Sequence, residues 1–217
     1  MSWLHAGIFG IAALSLRVAV LATLVACGLG IPAGAWLGST TFRGRRVLLT
    51  ALNTALALPT VVVGLVLYLL LARRGPFGEL QLLFTWRAIV AAEAVLAFPI
   101  AASLSAAAVQ AVDPRVLRTA LTLGAGPLRS AWAVLREAKL ALAAAVAVAF
   151  GRVLSEVGAA LIVGGNIKGE TRTLTTAITL ATSQGDFGLA VALGLILLAL
   201  ALTVNAILQM LHGRSDA

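Results

Sequence analysis

The chain has little charge and almost no thiol chemistry. Asp, Glu, Lys and Arg make up 11% of its 217 residues, against roughly a quarter in a soluble domain. That is too little charge to coat a water-facing surface around the 61% of residues that are hydrophobic. The mean hydropathy of +1.05 leads to the same solvent, lipid. A single cysteine, Cys27, excludes an intrachain disulfide and a thiolate metal cluster. Leu24-Val25-Ala26-Cys27 has the look of a lipoprotein cleavage box. Residues 1–16 lack Lys and Arg, however, and the apolar run continues past the cysteine, so an uncleaved first helix fits better. His5 and His212 lie near the two ends with no metal-like spacing. No G-x4-G-K-[ST] run occurs, which excludes a phosphate loop of that kind in this chain. Internal repeats are absent too, which disfavours the doubled architecture of many secondary transporters.

What is present is five apolar runs of membrane-spanning length, each near or above the ~20 residues a bilayer requires. They cover Leu14–Leu37, Val47–Ala72, Ala88–Val109, Lys139–Val163 and Phe187–Leu211. An all-α integral membrane protein follows, with residues 1–217 read as one membrane domain. Pro32, Pro59 and Pro99 fall inside the first three runs and predict kinks.

Net charge is +8, from 16 Lys and Arg against 8 Asp and Glu. The basic residues cluster in the breaks between apolar runs and form no continuous basic face, which argues against nucleic acid. One side of the alternating topology receives Arg43, Arg45, Arg46, Arg115, Arg118, Arg129, Arg136, Lys139 and Arg214. The other receives Arg73, Arg74, Arg87, Lys168 and Arg172. Nine against five makes the first side cytoplasmic, with the N-terminus outside and the C-terminus inside.

The longest polar stretch, Ala111–Glu137, predicts a bent helical pair. Asp113-Pro114 reads as an N-cap followed by proline at the first helical position. A helix to Leu123 then meets Gly124-Ala125-Gly126-Pro127, and a second helix leads into the fourth run. By spacing alone this pair is either a docking element for a partner or an amphipathic element on the bilayer surface.

The fourth run carries Arg152 and Glu156, four residues apart and hence on one face of a continuous helix. They are either a structural ion pair or a pathway pair, since ionisable groups at membrane depth tend to be functional. Beyond Gly164-Gly165-Asn166, the segment Thr171–Thr182 is too polar to span. Its threonines either cap helices or line a cavity where hydroxyls and backbone N–H groups solvate a passing anion. Glu93 and Arg17 read as single charges snorkelling near span ends.

Thr119-Ala-Leu-Thr-Leu-Gly124 resembles the coupling loop of ABC importer permeases, with pattern E-A-A-x3-G-x9-I-x-L-P. Aligned on Gly124, Ala120 meets the second alanine and Val134 the isoleucine, while Arg118 replaces the glutamate and Arg136-Glu137 replaces Leu-Pro. Trp132-Ala-Val-Leu-Arg-Glu-Ala and Arg73-Arg-Gly-Pro-Phe-Gly78 resemble the tungstate-type branch of the molybdate/sulfate permeases. Arg152-Val-Leu-Ser-Glu156-Val-Gly158-Ala159 is similar to that family's R-x-L-x-E-[FV]-G-A run. Val163-Gly-Gly-Asn166-Ile-Lys-Gly169-Glu-Thr171-Arg172-Thr173 resembles the loop that follows it.

The resemblance implies a type I ABC importer permease without enzymatic activity of its own, carrying a tetrahedral oxyanion, tungstate above molybdate or sulfate. It implies coupling through Arg115, Arg118, Ala120, Gly124 and Val134, and a path involving Glu156, Asn166, Thr171, Arg172 and Thr173. Expected partners are a separate ATPase dimer holding ATP and Mg, a second copy of the chain, an extracellular binding protein and membrane lipid. No cofactor or metal is expected on the chain itself. The implied location is the plasma membrane of a bacterium or archaeon. An ion-coupled transporter or channel, with Glu93 and Glu156 carrying protons, is the alternative of another class, and a non-transporting scaffold is a third.

Overall fold

The computed structural model describes residues 2–213, with side chains from 7 to 207. Arg214 and the side chains of His5 and His212, used above, lie outside the described residues. Every regular element among them is helical. They are α1 Ser2–Ser39, α2 Arg45–Ala55, α3 Thr60–Leu71, α4 Trp86–Gln110 and α5 Pro114–Thr122. There follow α6 Pro127–Glu137, α7 Lys139–Leu154, α8 Gly158–Gly164, α9 Leu174–Ser183 and α10 Phe187–Gly213.

Three of the expected spans are continuous helices: α1, α4 and α10. The other two are broken. The second run splits into α2 and α3 with a 100° bend, and the fourth into α7 and α8 with a 58° bend. Pro59 explains the first break. It closes Leu56–Pro59 and cannot donate the backbone hydrogen bond that would continue a helix. Pro32 and Pro99, by contrast, sit inside unbroken α1 and α4. At the second break no proline is present, and Glu156 supplies the reason given below.

Small side chains set the packing of α1 on α4. Ala22, Ala26, Gly30, Gly34 and Gly38 recur every four residues, so they share one helix face. A Cβ added at Gly34 would collide with the Ala102 carbonyl oxygen, and one at Gly30 would come within 2.7 Å of Ala101 Cβ. Gly38 meets Ala106 and Val109. In lipid the hydrophobic effect does not drive helices together, and close backbone approach over small residues replaces it. Residue numbers rise together along this contact, so α1 and α4 run parallel. The chain must therefore recross the bundle between them, which makes α2 and α3 one bent span. Gly164 of α8 lies against Ile89 near the start of α4, so α7–α8 runs antiparallel to α4.

Gly30→Ala is expected to destabilise the bundle by about 1–3 kcal/mol through overpacking. A lowered midpoint in detergent thermal unfolding checks this, and an unchanged midpoint would show that α1 and α4 separate freely.

Candidate functional site

Glu156 lies in the gap between α7 and α8, not on the face of one continuous helix: α7 ends at Leu154. It still meets Arg152, whose Nη1 donates to Glu156 Oε2 at 2.7 Å. Its other oxygen, Oε1, accepts from the backbone N–H of Ala159 at 3.2 Å in the first turn of α8. One carboxylate thus neutralises a guanidinium and satisfies an otherwise unpaired N–H at the positive end of α8. The Glu156 carbonyl accepts from Thr175 Oγ1 at 2.7 Å, tying α9 to the same point. Glu156 is 4% exposed while Arg152 is 37% exposed, so the pair has one buried and one open end.

Glu93 is not a snorkelling end residue. It is buried in α4. Its Oε2 has no hydrogen-bond partner among the described residues. Its neighbours Ala92 and Ala94 belong to the packed clusters that hold Ala159 and Ala160, and Val153 and Leu154, so α4 brings a second buried carboxylate to the α7–α8 break.

The segment after α8 forms a clasp. Asn166 takes a left-handed backbone, φ 51°, and its Oδ1 and carbonyl accept from Arg172 Nε at 3.1 Å and Nη2 at 3.2 Å. Thr171 is buried, donates to the Gly164 carbonyl at 2.6 Å and accepts from the Ile167 N–H at 2.8 Å. Thr173 caps α9 in a reciprocal box with Thr176. The Thr171 and Thr173 hydroxyls are thus engaged in holding the loop, while Arg172 and Asn166 remain half-buried.

Ser15 escaped the sequence reading. It accepts from the N–H of Leu174 at 2.7 Å and donates to the Ile11 carbonyl at 2.8 Å, joining α1 to the start of α9. A lone serine in an apolar run carries no pattern, and the partner is 159 residues away. Ser15→Ala is expected to cost about 0.6 kcal/mol, typical of hydrogen bonds between membrane helices. Hydrogen exchange at the start of α9 should rise in this variant, and unchanged protection would deny the link.

Residues 111–137 fold as the expected bent pair. Asp113 Oδ1 accepts from the Arg115 N–H at 2.8 Å and caps α5. Gly124, at φ 78°, ends it. The Ala125 N–H reaches the Ala120 carbonyl and the Gly124 N–H the Leu121 carbonyl, each at 3.0 Å. This is a Schellman turn, whose left-handed position favours glycine. Arg115 and Arg118 are exposed, and Ala120 and Val134 are partly covered. Leu123, Leu128 and Trp132 are 81%, 87% and 69% exposed. Large apolar groups left open around the turn, among arginines, suit a protein groove.

Residues 30–216 match the family described as the binding-protein-dependent transport system inner membrane component. The chain belongs to that family. As such a component it is a multi-pass inner membrane protein that serves transport, and the family implies an ATPase and a binding protein as partners. It is 41% identical over 205 residues to the tungstate uptake system permease protein TupB of Peptoclostridium acidaminophilum, covering 94% of this chain and 90% of that protein. It is 36% identical to the molybdenum transport system permease protein ModB of Escherichia coli K12, covering 87% of this chain and 86% of that one. The crystal structure of an amino acid ABC transporter with histidines superposes with a TM-score of 0.72 at 19% identity, covering 99% and 96% of the two chains. That match shows the type I importer fold.

Proposed function

We propose that this chain is the permease subunit of an ATP-driven importer of a tetrahedral oxyanion, with tungstate as substrate. The observation that carries this is 41% identity across 94% of the chain to a tungstate uptake permease. Five spans are few for one pathway, so two copies form it, as one membrane domain each. Orientation follows the basic residues, with the N-terminus outside and the 111–137 loop in the cytoplasm. There Arg115, Arg118, Ala120, Gly124 and Val134 couple the chain to a separate ATPase dimer, which holds ATP and Mg and performs hydrolysis. The chain itself binds no cofactor. A binding protein delivers the anion from outside. Glu156, Asn166 and Arg172 serve the path, and Thr171 and Thr173 hold the loop that presents them. ATP-driven closure of the ATPase pair moves the α5–α6 turns, and the break between α7 and α8 is where that motion reaches the path.

The test is uptake into proteoliposomes holding the chain and its ATPase, with binding protein added outside. ATP-dependent accumulation of tungstate, unaffected by proton ionophores, is the expected result. Accumulation driven by an ion gradient without ATP would overturn the reading in favour of an ion-coupled transporter. Uptake of molybdate or sulfate in preference to tungstate would overturn the substrate assignment alone.

A further inference from the structure

Arg17 interrupts the apolar run of α1, where an arginine is costly unless something receives its charge. Its guanidinium lies over the indole of Trp86, 4.0 Å from the ring centroid. Arg87 lies over the same ring at 5.5 Å. Two like charges are gathered on one indole, which is repulsive unless a counter-charge sits between or beside them. Among the described residues neither Arg17 nor Arg87 has a carboxylate within ion-pair distance. A cleft of about 450 Å³ opens beside the cluster. Its wall includes Arg17, Trp86, Arg87, Thr85 and Gln81, together with Glu170. Two positive side chains against one negative leave the cleft with a net positive charge.

We propose that the Arg17–Trp86–Arg87 cleft binds a tetrahedral oxyanion, carried either by the phosphate of an anionic phospholipid headgroup or as a free oxyanion such as tungstate. The unesterified oxygens of a phosphate or tungstate point in different tetrahedral directions from one centre, and can accept from both guanidinium groups that line the cleft. A tryptophan with arginines at the start of a span is also the setting in which lipid headgroups are met. The proposal does not depend on the chain being a transporter.

The chain in phosphatidylcholine nanodiscs is titrated with short-chain phosphatidylglycerol and, separately, with sodium tungstate, following tryptophan fluorescence. The part of the signal lost in Trp86→Phe reports the cleft. Saturable change with at least one of the two ligands is expected, weakened at least about fivefold in Arg17→Gln with Arg87→Gln and in Arg87→Gln alone. Arg43→Gln, far from the cleft, should titrate like the wild type. A response to phosphatidylglycerol alone identifies the lipid source, and one to tungstate alone the free ion. No saturable response of the wild-type chain to either ligand, or equal affinity in the arginine variants, would overturn the proposal.

Discussion

Glu156→Gln is expected to insert and assemble normally yet to lower tungstate uptake at least roughly tenfold, equivalent to about 1.4 kcal/mol in the limiting step. The double change Glu156→Gln with Arg152→Gln is expected to be no better. Four hydrogen bonds meet at Glu156: two on its carboxylate, one on its carbonyl and one from its N–H to the Val153 carbonyl. Glutamine preserves the shape and can still accept from the Ala159 N–H through its amide oxygen, so the α7–α8 bend should survive. The Thr175 bond goes to the backbone carbonyl and is untouched. What disappears is the charge facing Arg152 and the stronger cap that a carboxylate gives α8. Were the pair only a structural neutralisation, the single variant would leave Arg152 without its partner, and removing both charges would relieve that cost. A path or conformational role makes the opposite demand, because the double variant removes both charges from the break. Uptake normalised to dimer abundance separates the two. Recovery of the double variant to near wild-type flux would leave the structural account and remove the functional one.

Gly124→Val is expected to abolish coupled uptake while membrane insertion persists, and to reduce co-purification of the ATPase several-fold. Gly124 holds φ 78° in the Schellman turn between α5 and α6. A β-branched side chain there costs about 1–3 kcal/mol in backbone strain, enough to open the turn and re-aim both helices. Among the described residues, none beyond its chain neighbours comes within 4 Å of a Cβ built at this position, so crowding inside the subunit is not the cause. That separates two explanations by experiment. Gly124→Asn, which tolerates the left-handed conformation, should keep much of the activity if backbone geometry is what matters. If asparagine and valine fail alike, the partner needs the open space itself. Wild-type uptake with valine would dismiss the docking role of this turn.

Much of the fold was legible because the bilayer imposes a coarse rule. Apolar runs of spanning length, broken by arginines, gave the helical class and an upper bound of five crossings before any packing was known. The helix pair at 111–137 was legible for a local reason: Asp113-Pro114 and Gly124 are cap signals that act within one turn. Glu93 was misjudged. Its position near the start of an apolar run suggested an end residue, but depth depends on which neighbouring helices cover it, and α4 is packed on several sides. The Arg152–Glu156 pairing was expected from a continuous helix and is found across a break. Side-chain reach tolerates either backbone, so the correct contact was inferred from a wrong local geometry.

By itself the sequence determined an all-helical membrane protein of up to five crossings, its coupling-like helical pair, and the residues able to carry charge at membrane depth. These follow from hydropathy, capping and ionisation, which act on neighbours in the chain. Only the tertiary structure decided that α2–α3 and α7–α8 are bent, that Ser15 holds α9, and that Arg17 and Arg87 share Trp86. Each of those depends on contact between segments distant in sequence. In lipid such contacts are set by close packing of small residues and by pairing of isolated polar groups, neither of which leaves a periodic signal in one segment read alone.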